Sequence, residues 1–314
     1  MKVVAFGGGT GLPVLLRGLR DRVGDLTAVV TVADDGGSSG RLRQELGVAP
    51  PGDVRNCLVA LAGRRKLAEV FEYRFEAPGD LNDHSVGNII IAALADMAGG
   101  FCEGVEKASR FLRIKGRVLP AATESLTLVV RYADGTLTRG ESVVHEVGKQ
   151  VLEVSVEPKG IPAPPGVIGA IQDADVLVLA PGSLFTSTIP ALLGGGIREA
   201  LADFSGPVIY VANVMTQPGE TGDFAVSDHV RAIMGHVGPV VTDVLVHSGD
   251  LPPEILARYE AEEAAPVVVD TELLRGMGLR VREADVLSKE SRAGVRHDPL
   301  MLAKEVGEAA LVRI

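Results

Sequence analysis

Tryptophan is absent from this chain of 314 residues, and aromatic side chains make up only 4% of it. A surface that stacks successive nucleobases needs more rings than that. Cysteine is nearly absent too. Cys57 and Cys102 show neither a pairing pattern nor metal-ligand spacing, which predicts a reducing compartment rather than a disulfide scaffold. Cys57 falls in an apolar helical stripe and reads as core. No apolar run is long enough to span a bilayer and no signal-peptide pattern opens the chain, so no membrane insertion and a cytoplasmic location are expected. Positive charge is also in short supply: 31 basic against 41 acidic residues leave a formal charge of −10, which argues against nucleic acid or an anionic membrane as a partner.

Apolar residues and glycine are plentiful, at 46% and 38 residues, a composition suited to buried strands and tight turns. The length fits one large α/β domain or two smaller ones, and a single domain with an insertion is the preferred reading. Val3 to Phe6 form a short continuous apolar run, as in a strand buried on both faces. Gly7, Gly8 and Gly9 follow at once. Leu12, Leu15, Leu16 and Leu19 then recur at helical spacing, with Pro13 suited to a first turn. A glycine-rich turn that opens a helix exposes unpaired N–H groups, which favours an anion at Gly8, Gly9, Thr10 and Gly11. The alternative is a tight connection and nothing more. Leu12 stands where a dinucleotide fingerprint has its last glycine, and no Lys-Ser/Thr follows as in a Walker A loop.

Leu26 to Val32 form a second apolar strand leading into Asp34, Asp35, Gly36, Gly37, Ser38 and Ser39. If adjacent parallel strands put this loop on the same rim as the first, the acids would accept from ribose hydroxyls or hold a divalent ion, while the serines would bind phosphate oxygens. An Asp/Gly/Ser turn capping its own backbone is the other reading. Pro50 to Asp53 close on a helix N-cap, and Arg55 and Asn56 lie off that helix's apolar stripe, pointing either to the ligand rim or, the commoner fate of such residues, to solvent. His84 and Asn88, four apart, read as neighbours on one helical face, with a structural role for the histidine. Asp134-Gly135 between two apolar-alternating runs signals a hairpin, placing a β-rich excursion around residues 117–160.

The second half repeats the scheme. Asp175 to Ala180 read as a strand ending in Pro181, Gly182 and Ser183, either an anion loop or an ordinary turn with its N-cap. Gly206 to Asn213 read as another, followed by Thr216 and Gln217. Asn213, Thr216 and Gln217 suit recognition of a base or sugar, or satisfaction of their own loop, more than bond cleavage. Val240 to Val246 and Val267 to Asp270 continue the strand pattern. Arg296 precedes an N-cap Asp298 and a first-turn Pro299, and meets phosphates only if the last helix lies at the carboxyl rim of the sheet.

Five ordered motifs carry a family resemblance: GGGTGL at Gly7 to Leu12, VADDGGSSGRLR at Val32 to Arg43, PPGDVRNCL at Pro50 to Leu58, APGSLFTSTIP at Ala180 to Pro190 and NVMTQPGET at Asn213 to Thr221. Together they resemble the YvcK-type gluconeogenesis factors of the CofD-like superfamily over nearly the whole chain. The resemblance implies a single CofD-like domain over residues 1–314, α/β in class: a Rossmann-like three-layer αβα sandwich with a mainly parallel sheet and an inserted β-hairpin region. It also implies a regulatory protein that binds UDP-N-acetylglucosamine or UDP-glucose and is needed for cell shape and wall synthesis during gluconeogenic growth, with cell-wall synthesis proteins or a second copy of the chain as partners.

The ligand contacts expected on that basis are Gly8, Gly9, Thr10, Gly11 and Leu12, with Asp34, Asp35, Ser38, Ser39, Gly182, Ser183, Asn213, Thr216, Gln217 and Arg296, and no catalytic residue is assigned. CofD itself, similar in the glycine turn and paired acids, transfers phospholactate to a deazaflavin with Mg²⁺. That makes a metal-dependent transferase the enzymatic alternative. Residues Gly36 to Gly40 are small and polar where the transferase branch carries bulkier ones, which argues against a deazaflavin here. The broken glycine fingerprint argues likewise against an NAD(P)-dependent oxidoreductase.

Overall fold

The computed structural model describes residues 1–76, 79–144, 148–288 and 295–311. Its strands in chain order are β1 (Lys2–Gly7), β2 (Asp25–Val30), β3 (Arg117–Pro120), β4 (Thr127–Tyr132), β5 (Leu137–Arg139), β6 (Val151–Glu157), β7 (Val176–Leu179), β8 (Val208–Val211), β9 (Asp243–His247) and β10 (Arg280–Ala284). Seven of them form one sheet in the order β10-β9-β8-β7-β1-β2-β3, with every pairing parallel. Helices flank it in a Rossmann-like three-layer sandwich. β4, β5 and β6 make a separate antiparallel sheet around the Asp134-Gly135 turn. β3, within the span read as the excursion, is an edge strand of the large sheet.

Val3, Val4, Ala5 and Phe6 are almost fully buried, as are Val176 to Leu179 beside them, because helices cover both faces of a parallel sheet. Each such large side chain contributes about 1.5–3 kcal/mol through burial. The chain adds β2 and β3 on one side of β1, then crosses and adds β7 to β10 on the other. The reversal point therefore lies between β1 and β7, where open α/β sheets form a crevice beyond the strand carboxyl ends.

Val267 to Asp270 do not form a strand. Only isolated bridges at Pro266 and Val268 mark the segment, and the sheet's outer edge is taken by β10 instead. The last helix, Pro299–Leu311, starts under an Asp298 cap that accepts the N–H groups of Leu300 and Met301. It lies on the first helix, Gly11–Leu19, at Gly18, where a Cβ would overlap the Pro299 carbonyl.

Candidate functional site

Of the clefts that open beyond the carboxyl ends of the strands, two hold most of the residues expected from the sequence. The first, about 590 Å³, sits at the reversal point and is lined by Gly9, Thr10, Gly11, Gly182, Ser183, Asn213, Thr216, Gln217 and Arg296, among others. The second, about 270 Å³, is lined by Asp34, Ser38 and Ser39 along with Asp53, Arg55 and Asn88. Asn56 lines both. The single rim expected from the sequence is thus divided into two chambers.

Close approach explains the glycines of the first cleft. A Cβ at Gly11 would overlap the Pro181 carbonyl, so the turns after β1 and β7 pack directly on each other. Gly9 has φ +57°, a conformation that glycine adopts without strain. The first helix has no side-chain cap at Thr10, which leaves its opening N–H groups for a ligand. Gly8 serves packing, since a Cβ there would strike the Asp53 carboxylate and the Thr31 methyl. Leu12 is fully buried in the core and lines neither cleft.

Side chains clamp the second glycine turn. Asn213 accepts the Gly182 N–H at 3.0 Å and donates from Nδ2 to the Gly182 carbonyl at 2.7 Å. The Ser183 hydroxyl contacts both Glu220 carboxylate oxygens (2.6 and 2.7 Å), and Glu220 also accepts the Phe185 N–H at 2.5 Å. Glu220 is 3% exposed, so this is an internal brace for the short turn Leu184–Thr188. Thr216 is similarly occupied: its backbone N–H reaches the Ala265 carbonyl, and its hydroxyl accepts the Ala265 N–H. Gln217 retains more freedom, with its amide oxygen at 3.5 Å from Asn213.

The first cleft also holds residues that no motif reading singled out. Arg17 joins the expected Arg296 in supplying positive charge, opposed by Glu72 and Glu141. Tyr259 lines the wall, its phenol oxygen accepting the Val295 N–H at 3.1 Å. It comes from an amphipathic helix, Pro253–Ala261, whose sequence carries no turn or glycine signal. His297 lines the cleft as well, and burial beside His247 pushes its imidazole down to about 4, so it is neutral at pH 7.

The paired acids separate. Asp34 faces the second cleft and accepts the Gly36 N–H at 2.8 Å, whereas Asp35 turns towards the antiparallel sheet and accepts the Ser142 N–H at 2.9 Å. Asp35 lines neither cleft. The acid that joins the chambers is Asp53, which accepts the Gly9 N–H and lines the second cleft. It is the second residue of the helix Gly52–Leu61, not its N-cap, a position held by Pro51.

Burial, with Asp34 nearby, pushes Asp53 up to about 6. Burial raises Asp34 as well, and raises Glu141 to about 9 with help from both aspartates. Among the described residues no three His, Cys, Asp or Glu side chains converge as ligands of a metal ion.

Arg55, placed by pattern on a solvated face, is 7% exposed. His84 precedes the helix Val86–Ala98 rather than sharing a face with Asn88. It is buried against Ser38 Oγ at 3.2 Å and accepts from Arg41 at 3.0 Å. Cys57 is core, and neither cysteine is bonded to the other. Among the described residues no helix is long and apolar enough to cross a membrane.

Residues 3–287 match the family model of the 2-phospho-L-lactate transferase CofD. The chain is 45% identical over 299 residues to the gluconeogenesis factor of Bacillus subtilis, covering 95% of this chain and 94% of that protein. It is also 45% identical over 311 residues to the gluconeogenesis factor of Halalkalibacterium halodurans, covering 98% and 95%. A crystal structure of a Bacillus halodurans protein superposes with a TM-score of 0.94 at 44% identity, covering 99% of both chains. The two-sided parallel sheet, the opposed glycine turns and these full-length similarities lead to one assignment: the chain belongs to the CofD-like family, among the relatives of the YvcK-type gluconeogenesis factors.

Proposed function

We propose that the first cleft binds a nucleotide sugar, UDP-N-acetylglucosamine or UDP-glucose, and that the protein uses this occupancy to regulate wall synthesis and cell shape during gluconeogenic growth. The observation that carries the reading is the direct stacking of the two glycine turns, Gly9 to Gly11 on Pro181 to Ser183, beneath a cleft of about 590 Å³. That size lies within the range of small-molecule sites. The diphosphate would lie at the uncapped start of the first helix with Arg296 and Arg17 facing it, and Gln217 and Tyr259 would meet base or sugar. A cytoplasmic location, partner proteins of wall synthesis and self-association belong to the same proposal. Calorimetric titration with UDP-N-acetylglucosamine is the test: binding that weakens in Asn213→Ala is expected, and no heat at millimolar ligand from folded protein would overturn the reading.

The family match to a transferase supports a second reading, transfer from a nucleotide-linked donor. Its structural support is the half-buried set Asp34, Asp53 and Glu141, whose charges act on one another at the partition between the clefts. A carboxylate raised in this way suits a proton acceptor near neutral pH. Turnover of such a donor that is lost in Asp53→Asn and kept in Asp35→Asn favours this reading; equal turnover in both variants removes it.

A further inference from the structure

Arg55 carries a charge into the protein without a matching one. Its side chain is 7% exposed; Nη1 donates to the Asn88 amide oxygen at 3.2 Å, Nη2 to the Asn56 amide oxygen at 2.6 Å, and Nε has no partner. Both partners are neutral amides. The acids Asp53, Glu72 and Asp83 act on it through space only. A buried guanidinium left with an open donor is costly unless something supplies the missing acceptor.

Arg55 lines the second cleft, and three helices begin around the same space: Gly37–Leu46, Gly52–Leu61 and Val86–Ala98. None of the three has a side-chain cap, and their opening residues Gly37, Gly52 and Asn88 line the cleft. The Ser39 hydroxyl takes the Gly52 N–H at 3.1 Å and the Tyr73 carbonyl takes the Val86 N–H, so the helix starts add their positive dipole ends and the N–H groups of the rest of each first turn to the guanidinium. Arg74 stands at the rim in an exposed pair with Asp83 at 3.2 Å. The opposite wall is acidic. Asp34 takes the Gly36 N–H and the Ser39 hydroxyl, Asp53 takes the Gly9 N–H, and each carboxylate, with about four acceptor sites, has capacity left for a further hydroxyl.

We propose that the second cleft is a separate site for a small hydroxylated oxyanion, a polyol phosphomonoester or a hydroxy acid, whose anionic end meets Arg55 and the helix starts while its hydroxyls donate to Asp34 and Asp53. The acidic wall disfavours a polyphosphate, and the volume of about 270 Å³ suits a ligand smaller than a nucleotide. The Asp53 carboxylate, bound to the first glycine turn, stands between the two ligands. This inference does not rest on the nucleotide-sugar reading.

The test is an NMR titration of the full chain with glycerol 3-phosphate, and separately with glycerate, each with and without saturating UDP-N-acetylglucosamine. Shifts at the Gly37, Ser38 and Asn88 amides that persist with the nucleotide sugar present are expected. Arg55→Gln should weaken binding about tenfold, in keeping with the loss of a charge-assisted bond. Response to glycerol 3-phosphate alone identifies the phosphomonoester, and response to glycerate alone the hydroxy acid.

If circular dichroism shows that Arg55→Gln fails to fold, Arg74→Gln is read in its place, with about a threefold loss expected for an exposed ion contact. Three outcomes overturn the proposal: no shift at these amides at millimolar ligand, displacement by UDP-N-acetylglucosamine, or unchanged affinity in the folded variant. Failure of UDP-N-acetylglucosamine to bind at all would count against the nucleotide-sugar reading, and the amide shifts would still decide this one.

Discussion

The two clefts are made from the same local parts and use them differently. Each lies where a strand's carboxyl end passes through a glycine-rich turn into a helix start. In the first, side chains from distant loops hold the turns: Asn213 grips both peptide groups of Gly182, and Asp53 takes the Gly9 N–H. In the second, the helix starts lack a bond from their own N-cap side chains, only the Gly52 and Val86 N–H groups are taken by Ser39 and Tyr73, and a buried arginine held by neutral amides faces them. A glycine turn alone therefore does not fix its ligand. What the neighbouring side chains consume decides how much anion affinity remains.

Four experiments break or sharpen that contrast. The largest effect is expected for Gly11→Ala, whose methyl would overlap the Pro181 carbonyl. A loss of about 3 kcal/mol in chemical denaturation and loss of UDP-N-acetylglucosamine binding should follow, while glycerol 3-phosphate still binds. Loss of both ligands at once would make the clefts one cooperative unit. Asn213→Ala frees both peptide groups of Gly182, and calorimetry should show nucleotide-sugar affinity lower by about tenfold, or ~1.4 kcal/mol. Unchanged affinity would mean that the turn holds its shape unaided.

Asp53→Asn tests the partition. Because the folded carboxyl is raised to about 6, the native protein binds more protons than the unfolded chain between about pH 4 and pH 6. Stability from this group is complete below that window and is lost as the pH rises through it. The variant's Tm should therefore match the wild type near pH 4 and exceed it by about 2–4 °C at pH 7. The smallest effect belongs to exposed Arg296, lining the first cleft. Arg296→Gln should weaken the nucleotide sugar by about threefold at low salt, with the difference shrinking as salt is added.

β1, β2, β7, β8 and β9 were legible in the sequence, because strands covered on both faces are written as unbroken apolar runs. β10 was not. It is an edge strand reading Arg-Val-Arg-Glu-Ala, and its charges hide it from a search for apolar runs. The valines at 267–269 gave the opposite error, since Val268 is 65% exposed and only bridges its neighbour.

Gly9, Gly11 and Gly182 could be read as turn residues from local pattern alone. The parting of Asp34 and Asp35 could not, because the Ser142 N–H that Asp35 meets lies 107 residues further along the chain. The burial of Arg55 was invisible because Asn88, which helps to hold it, lies 33 residues further along the chain. Tyr259 sits on an ordinary amphipathic helix and enters the first cleft only through tertiary packing.

The first cleft has its floor near residue 10 and one of its walls near residue 296, joined by a last helix laid along the first. A ribosome that has made the glycine turn must go on to make Arg296 and His297 before the site can close. Recognition by this cleft therefore waits on residues far along the chain from its floor, and a chain clipped ahead of Arg296 would keep its glycine turn yet lack the wall that Arg296 and His297 provide.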